Sequence, residues 1–194
     1  MKTYDAHHIR NIAVLGHAGS GKTTLAESML FESNEIQRRG NVEDGSTASD
    51  YHDIERERSS SVFGTPLFAE WRNYKINIID TPGYADYVGE VISALRVVDT
   101  GLLVLNAHHG VEVGTETIWR YTKQFETPVI FTVNKVDHDQ SDFWRTVEQA
   151  KERFGREVTV VQYPLVEGTR FNTIIDVLKM TAYVFGPSGG KPEK

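Results

Sequence analysis

Gly16-His17-Ala18-Gly19-Ser20-Gly21-Lys22-Thr23 is the stretch that decides the fold of this chain. It follows the apolar run Ile12-Ala13-Val14-Leu15 and leads into a helix-like segment from Thr24 to Phe31. Strand, glycine-rich loop and helix start stand in the order that a phosphate-binding loop requires. Glycines let backbone N–H groups converge on phosphate oxygens without Cβ clashes. The helix N-terminus adds partial positive charge. The candidate nucleotide-binding residues are therefore Gly16, His17, Ala18, Gly19, Ser20, Gly21, Lys22, Thr23 and Thr24. Lys22 is placed to reach the β- and γ-phosphates, and Thr23 offers its hydroxyl to Mg2+.

Outward from this loop, apolar and amphipathic runs alternate. The pattern predicts strands over Asn11–Leu15, Thr65–Glu70, Lys75–Asp80, Leu102–Asn106, Val129–Asn134 and Val158–Leu165. It predicts helices over Lys22–Phe31, Tyr87–Val97, Gly114–Phe125, Phe143–Phe154 and Phe171–Tyr183. This alternation implies an α/β fold of the P-loop type, with a mostly parallel sheet and helices on both faces. Ligands of such sheets sit at the carboxyl ends of the strands. One segment, Asn34–Ser61, breaks the rhythm: it is long, polar and charged, ending in Asp50-Tyr51-His52-Asp53-Ile54-Glu55-Arg56-Glu57-Arg58. A long irregular loop in a compact domain is usually functional or disordered, and this one stands where a nucleotide-sensing switch would lie.

Composition narrows the class. With 194 residues, the chain is long enough for one substantial core. It has no cysteine, which excludes disulfide staples and thiolate metal sites. A net charge of −6 argues against a free-standing nucleic-acid binder. No apolar run is long enough to span a bilayer, and the first residues lack a secretory or transit pattern. The expectation is a cytoplasmic protein with no membrane partner.

Two further motifs end strands. Asp80-Thr81-Pro82-Gly83 places a carboxylate where it would serve the outer shell of Mg2+. It also places Gly83, whose N–H can approach a γ-phosphate unobstructed by a side chain. Asn134-Lys135-Val136-Asp137 ends the next strand but one. The Asp137 carboxylate can accept two hydrogen bonds from guanine N1–H and its exocyclic amine, whereas adenine would leave it poorly paired. Asn134 would tie the base loop to the phosphate loop, and the Lys135 stem would cover the base. Three motifs in this order identify a guanine-nucleotide domain. The pairs His7-His8 and His108-His109 and the three tryptophans read as solvated loop residues and packing residues, respectively.

Together these motifs resemble the translational GTPases, elongation factor G above all. Asp50–Arg58 resembles the family's first switch. Asp80–Gly83 with Asp86 and Tyr87-Val88 resembles the second, and Val160–Phe185 resembles the start of the insertion carried by elongation factor G. The resemblance implies GTP/GDP and Mg2+ as ligands, with Thr23, Asp80 and Ser61 serving the metal, and the ribosome as the partner of a longer protein. It implies a GTP-binding core over 1–157 that lacks its last guanine loop, a last strand and insertion start over 158–185, and a loop or linker over 186–194. The chain would then be a monomeric N-terminal fragment.

The family pattern is broken where hydrolysis would occur. Tyr84 stands where the family has the water-positioning histidine, and Ser61 stands for the first-switch threonine. Ser60 and Ala18 replace apolar gate residues, and Gly19 replaces an aspartate. A phenol with a pKa of about 10 supplies no cation near neutral pH. With Tyr84, Ser61 and Gly83 as the residues at the reacting end, the resemblance implies an elongation factor G-like translocation factor, and the departures from it imply hydrolysis that is slow or absent. The alternatives are a non-hydrolysing, GTP-dependent ribosome-binding module, or a GTPase of the ribosomal-protection or release-factor type.

Overall fold

The structure, a computed structural model, describes residues 2–186 and 192–194. Most of the predicted tail linker, 187–191, lies outside the described residues. The chain divides into two compact units, 1–104 with 113–132 and 105–112 with 133–194.

The first unit carries β1 (Ile9–Leu15), α1 (Lys22–Glu32), α2 (Asp53–Arg58), β2 (Thr65–Trp71), β3 (Tyr74–Asp80), α3 (Val88–Leu95) and α4 (Val113–Gln124). Two strands run on from it into the second unit, β4 (Thr100–Asn106) and β5 (Val129–Asn134). The sheet order is β2-β3-β1-β4-β5; β1 is parallel to β3 and β4, while β2 pairs antiparallel with β3. The predicted α/β architecture is present, and the boundaries of most elements shift by only one or two residues.

The centre of β1 explains why the sheet is covered on both sides. Ala13, Val14 and Leu15 are fully buried. Successive side chains point to opposite faces. Ala13 and Leu15 pack with Val91, Ala94, Leu95, Leu103 and Ile118, while Val14 packs with Ala26, Ala69, Ile78 and Val104. Each Val, Leu or Ile among them contributes about 1.5–3 kcal/mol by burial. In α3 the buried positions Val91, Ala94 and Leu95 follow helical spacing. In α1 the buried face is instead largely polar, with Lys22, Thr23, Ala26, Glu27 and Leu30. That face carries the site.

The long segment after α1 is not structureless: α2 forms within it. Glu55 accepts the N–H of His52 at 3.3 Å, closing the first turn.

The second unit holds α5 (Phe143–Phe154), capped by Asp142, which accepts the Arg145 N–H at 2.8 Å. Its sheet is β6 (Gln162–Pro164), β7 (Thr173–Asp176) and β8 (Thr181–Val184), all antiparallel. This corrects two sequence expectations. The strand predicted over Val158–Leu165 shrinks to three residues. The helix predicted over Phe171–Tyr183 is a hairpin. Thr173-Ile174-Ile175 is a β-branched run, which favours strand. Asp176 then fixes the turn by accepting the Lys179 N–H at 2.9 Å.

Candidate functional site

Parallel pairing brings the first two motifs together within the first unit. Val14 of β1 lies in register with Asp80 of β3, so the loops leaving these strands are neighbours. Thr81, fully buried, ties them by donating to the Val14 carbonyl at 2.7 Å. Gly16 turns at φ +144°, and a Cβ there would lie 2.5 Å from the Val104 carbonyl oxygen. No other residue type fits that turn without moving backbone. Lys22, 6% exposed, donates from Nζ to the His17 carbonyl at 3.0 Å. Gly83 sits directly over the loop: a Cβ on it would stand 2.4 Å from Lys22 Nζ and 2.6 Å from the Ala18 nitrogen.

A set of oxygens gathers below this contact. Thr23 Oγ1 and Ser61 Oγ are 3.1 Å apart, which brings the segment after α2 onto the first turn of α1. Asp80 is fully buried, and neither of its oxygens makes a well-formed hydrogen bond. Burial pushes its carboxyl up to about 6; the nearby Thr23 hydroxyl, Lys22 ammonium and Ser49 hydroxyl oppose this shift and are outweighed. Asp50 shares this state: it is buried, its two oxygens also lack well-formed bonds, and burial raises its pKa against the opposing Ser61 hydroxyl. Buried carboxylates without well-formed hydrogen bonds are costly. Two of them beside two hydroxyls make an all-oxygen donor set of the kind that suits a small hard cation.

Asp50 and Ser49 are functional candidates that sequence reasoning does not single out. Asp50 is in view as the start of the charged run, but nothing in its local spacing marks it as a partner of Asp80.

The third motif belongs to the second unit. Lys135 to His138 form a tight turn, with the His138 N–H donating to the Lys135 carbonyl at 3.2 Å and Lys135 at φ +60°. Val136 is held by the Ser141 hydroxyl and the Gly168 N–H, both at 2.9 Å to its carbonyl. The Asn134 carbonyl accepts the Ala107 N–H at 2.9 Å, and Asp137 is exposed. The turn therefore presents Asp137 on a braced backbone. Close by, the ring of His108 makes tilted contacts with those of His109 and His138, with centroids 4.4 and 5.0 Å apart. His8 meets Asp5 at 2.7 Å.

Residues 7–184 match the family described as the elongation factor Tu GTP-binding domain. The chain belongs to that family. Within it this GTP-binding domain is elongation factor G-like. It is 38% identical over 193 residues to elongation factor G of Mycoplasma pneumoniae, covering 100% of this chain and 28% of that protein. Elongation factor G of Mycoplasma genitalium is 37% identical over 192 residues, covering 99% and 28%. A solved protein from Thermus thermophilus superposes with a TM-score of 0.90 at 33% identity, covering 96% of this chain and 28% of that one. The chain thus spans 28% of the length of the relatives it matches. Among the described residues, no helix is long and apolar enough to cross a membrane.

The residues that the sequence reading expects to depart from the family pattern have distinct settings in this domain. Tyr84 is 51% exposed and opens a 3-10 turn over Ala85–Tyr87. Gly19 is exposed at φ +76°, with open space where a Cβ would stand. Ser60 is half-buried, and its N–H donates to the Glu55 carbonyl at 3.1 Å.

Proposed function

We propose that this domain is a Mg2+-dependent GTP/GDP switch of an elongation factor G-like translocation factor, and that its hydrolysis is slow. What carries the reading is the approach of Ser61 to Thr23. The Ser61 hydroxyl oxygen lies 3.1 Å from that of Thr23, the residue that would ligate Mg2+. Thr23 and Ser61 would hold Mg2+ directly, with Asp80 and Asp50 behind them, and Gly16–Thr24 would bind the phosphates. When bound, the metal neutralises charge on the β- and γ-phosphates. Gly83 would sense the γ-phosphate through its N–H, so that loss of that phosphate releases both switches. Asn134, Lys135 and Asp137 would select guanine.

Tyr84 supports slow turnover, because its phenol cannot act as the family histidine would. Loss of a positioned catalytic group costs roughly 10²–10⁴ in rate. The same feature favours a second reading, a module that uses GTP as an assembly signal on the ribosome and does little chemistry. In both readings residues 1–157 form the GTP-binding core and 158–185 begin an insertion. In both, the protein acts on ribosomes in the cytoplasm.

Fluorescent GDP displacement tests the binding: GTP should compete and ATP should not. Single-turnover hydrolysis with and without ribosomes tests the chemistry. A ribosome-stimulated rate equal to that of an ordinary elongation factor G would overturn slow turnover, and no detectable turnover would favour the assembly module.

A further inference from the structure

Two glutamates are as deeply buried as the aliphatic core: Glu27 at 1% and Glu55 at 0% exposure. A buried carboxylate is tolerated when its oxygens are used, and these are used on the backbone of the first switch. Glu27 accepts the Gly40 N–H at 3.0 Å with one oxygen and the Ala48 N–H with the other. Glu55 accepts the N–H groups of Val62 and Phe63 at 3.0 and 3.1 Å on Oε1, and that of His52 on Oε2.

The clamped amides adjoin the oxygens of the cation site. Ala48 precedes Ser49 and Asp50, and Val62 follows Ser61. Thr23 and Glu27 stand one turn apart on the same face of α1. The helix that presents one metal oxygen therefore holds the chain carrying the others.

We infer that Glu27 and Glu55 are positioning residues that hold the first switch closed on the cation site, Glu27 setting Ser49 and Asp50 and Glu55 setting Ser61. The inference rests on the proposed Mg2+-dependent switch and deepens it. Their role is to favour the nucleotide state that needs the switch closed. Removing either acceptor weakens binding of a GTP analogue more than binding of GDP.

The test measures affinities of the purified chain for GDP and for a non-hydrolysable GTP analogue across a Mg2+ titration. Glu55→Gln and Glu27→Gln keep size but present an NH₂ group to a backbone N–H. Each should lower affinity for the GTP analogue about tenfold, the loss expected for one charge-assisted hydrogen bond. GDP affinity should stay unchanged, and the Mg2+ midpoint for the analogue should rise. Glu55→Asp, which keeps the acceptors at shorter reach, should fall between Glu55→Gln and wild type.

Equal losses for both nucleotides, or an unaltered ratio, would overturn the inference and leave only a structural role. Should the glutamine variants not fold, amide exchange in the wild-type chain decides. Gly40, Ala48, Val62 and Phe63 should gain protection together when analogue and Mg2+ are added, and no gain overturns the inference. A wild-type chain without Mg2+-dependent binding of guanine nucleotide refutes the underlying switch itself, and is seen before any variant is made.

Discussion

The Thr23 and Ser61 hydroxyl oxygens lie 3.1 Å apart although 38 residues separate them in the chain. Neither residue is unusual alone. Thr23 begins a helix and Ser61 ends a serine run. Their contact brings the segment after α2 onto the glycine-rich loop and α1, and it gathers four oxygen-bearing side chains, those of Thr23, Asp50, Ser61 and Asp80, from three stretches of the chain.

Replacing Ser61 by alanine removes one of the two hydroxyls. Affinity for a GTP analogue in Mg2+ should fall by about 1–2 kcal/mol, the cost of one hydrogen-bonding or ligating group. Affinity measured in EDTA should hardly change. Equal losses with and without the metal would take Ser61 out of the cation site.

Asp80 gives the domain a distinctive pH dependence. Its carboxyl titrates near 3.8 when unfolded and near 6 when folded. Between those values the folded state binds the proton more tightly, so this group's contribution to stability falls as pH rises through the window and is fully lost above about 6. The size is on the order of 3 kcal/mol. Asp50 shifts in the same direction. Asp80→Asn should therefore be more stable than wild type at pH 7 in EDTA and close to it at pH 4, as read by urea unfolding. A difference that stays constant with pH would mean that burial of charge is not its cause.

Tyr84→His supplies the imidazole that the resemblance to elongation factor G leads one to expect at this position. Because the ring is half-exposed, stability should change by no more than about 0.5 kcal/mol. Single-turnover hydrolysis on ribosomes should rise at least about tenfold. If it does not, the limit lies with Ser60, Ala18 or Gly19 rather than with the phenol.

Gly83→Ala places a methyl 2.6 Å from the Ala18 nitrogen, where backbone must move, and 2.4 Å from Lys22 Nζ. Overpacking of this kind costs about 1–3 kcal/mol. Thermal unfolding should show the loss, with GTP-analogue binding reduced more than GDP binding. A variant with wild-type stability and wild-type binding would show that the approach of Gly83 to the phosphate loop is not needed.

Wherever the chemistry is contiguous, the chain alone is informative. Gly16–Thr24 reads as a phosphate loop because strand, glycines, lysine and helix start are adjacent, and each is set by local backbone preference. Asp80–Gly83 and Asn134–Asp137 read as strand-end motifs for the same reason, and the alternation around them dictates the α/β sheet. The hairpin at Thr173–Val184 is not legible in this way, because its apolar residues also fit helical spacing. β-branching and the Asp176-capped turn decide the matter.

Tertiary structure decides what local preference cannot encode. Asp50 comes close to Asp80 only when the segment after α1 folds back onto that helix. Glu27 carries no signal in the sequence and Glu55 reads only as part of the charged run expected to form a switch, yet both become buried acceptors because loop amides 13 and 21 residues from Glu27, and 7 and 8 from Glu55, must find partners once water is excluded. The identity of a phosphate loop is a short-range property of the chain. Which groups close over it depends on satisfying buried polar atoms across long range, and only the folded chain determines that.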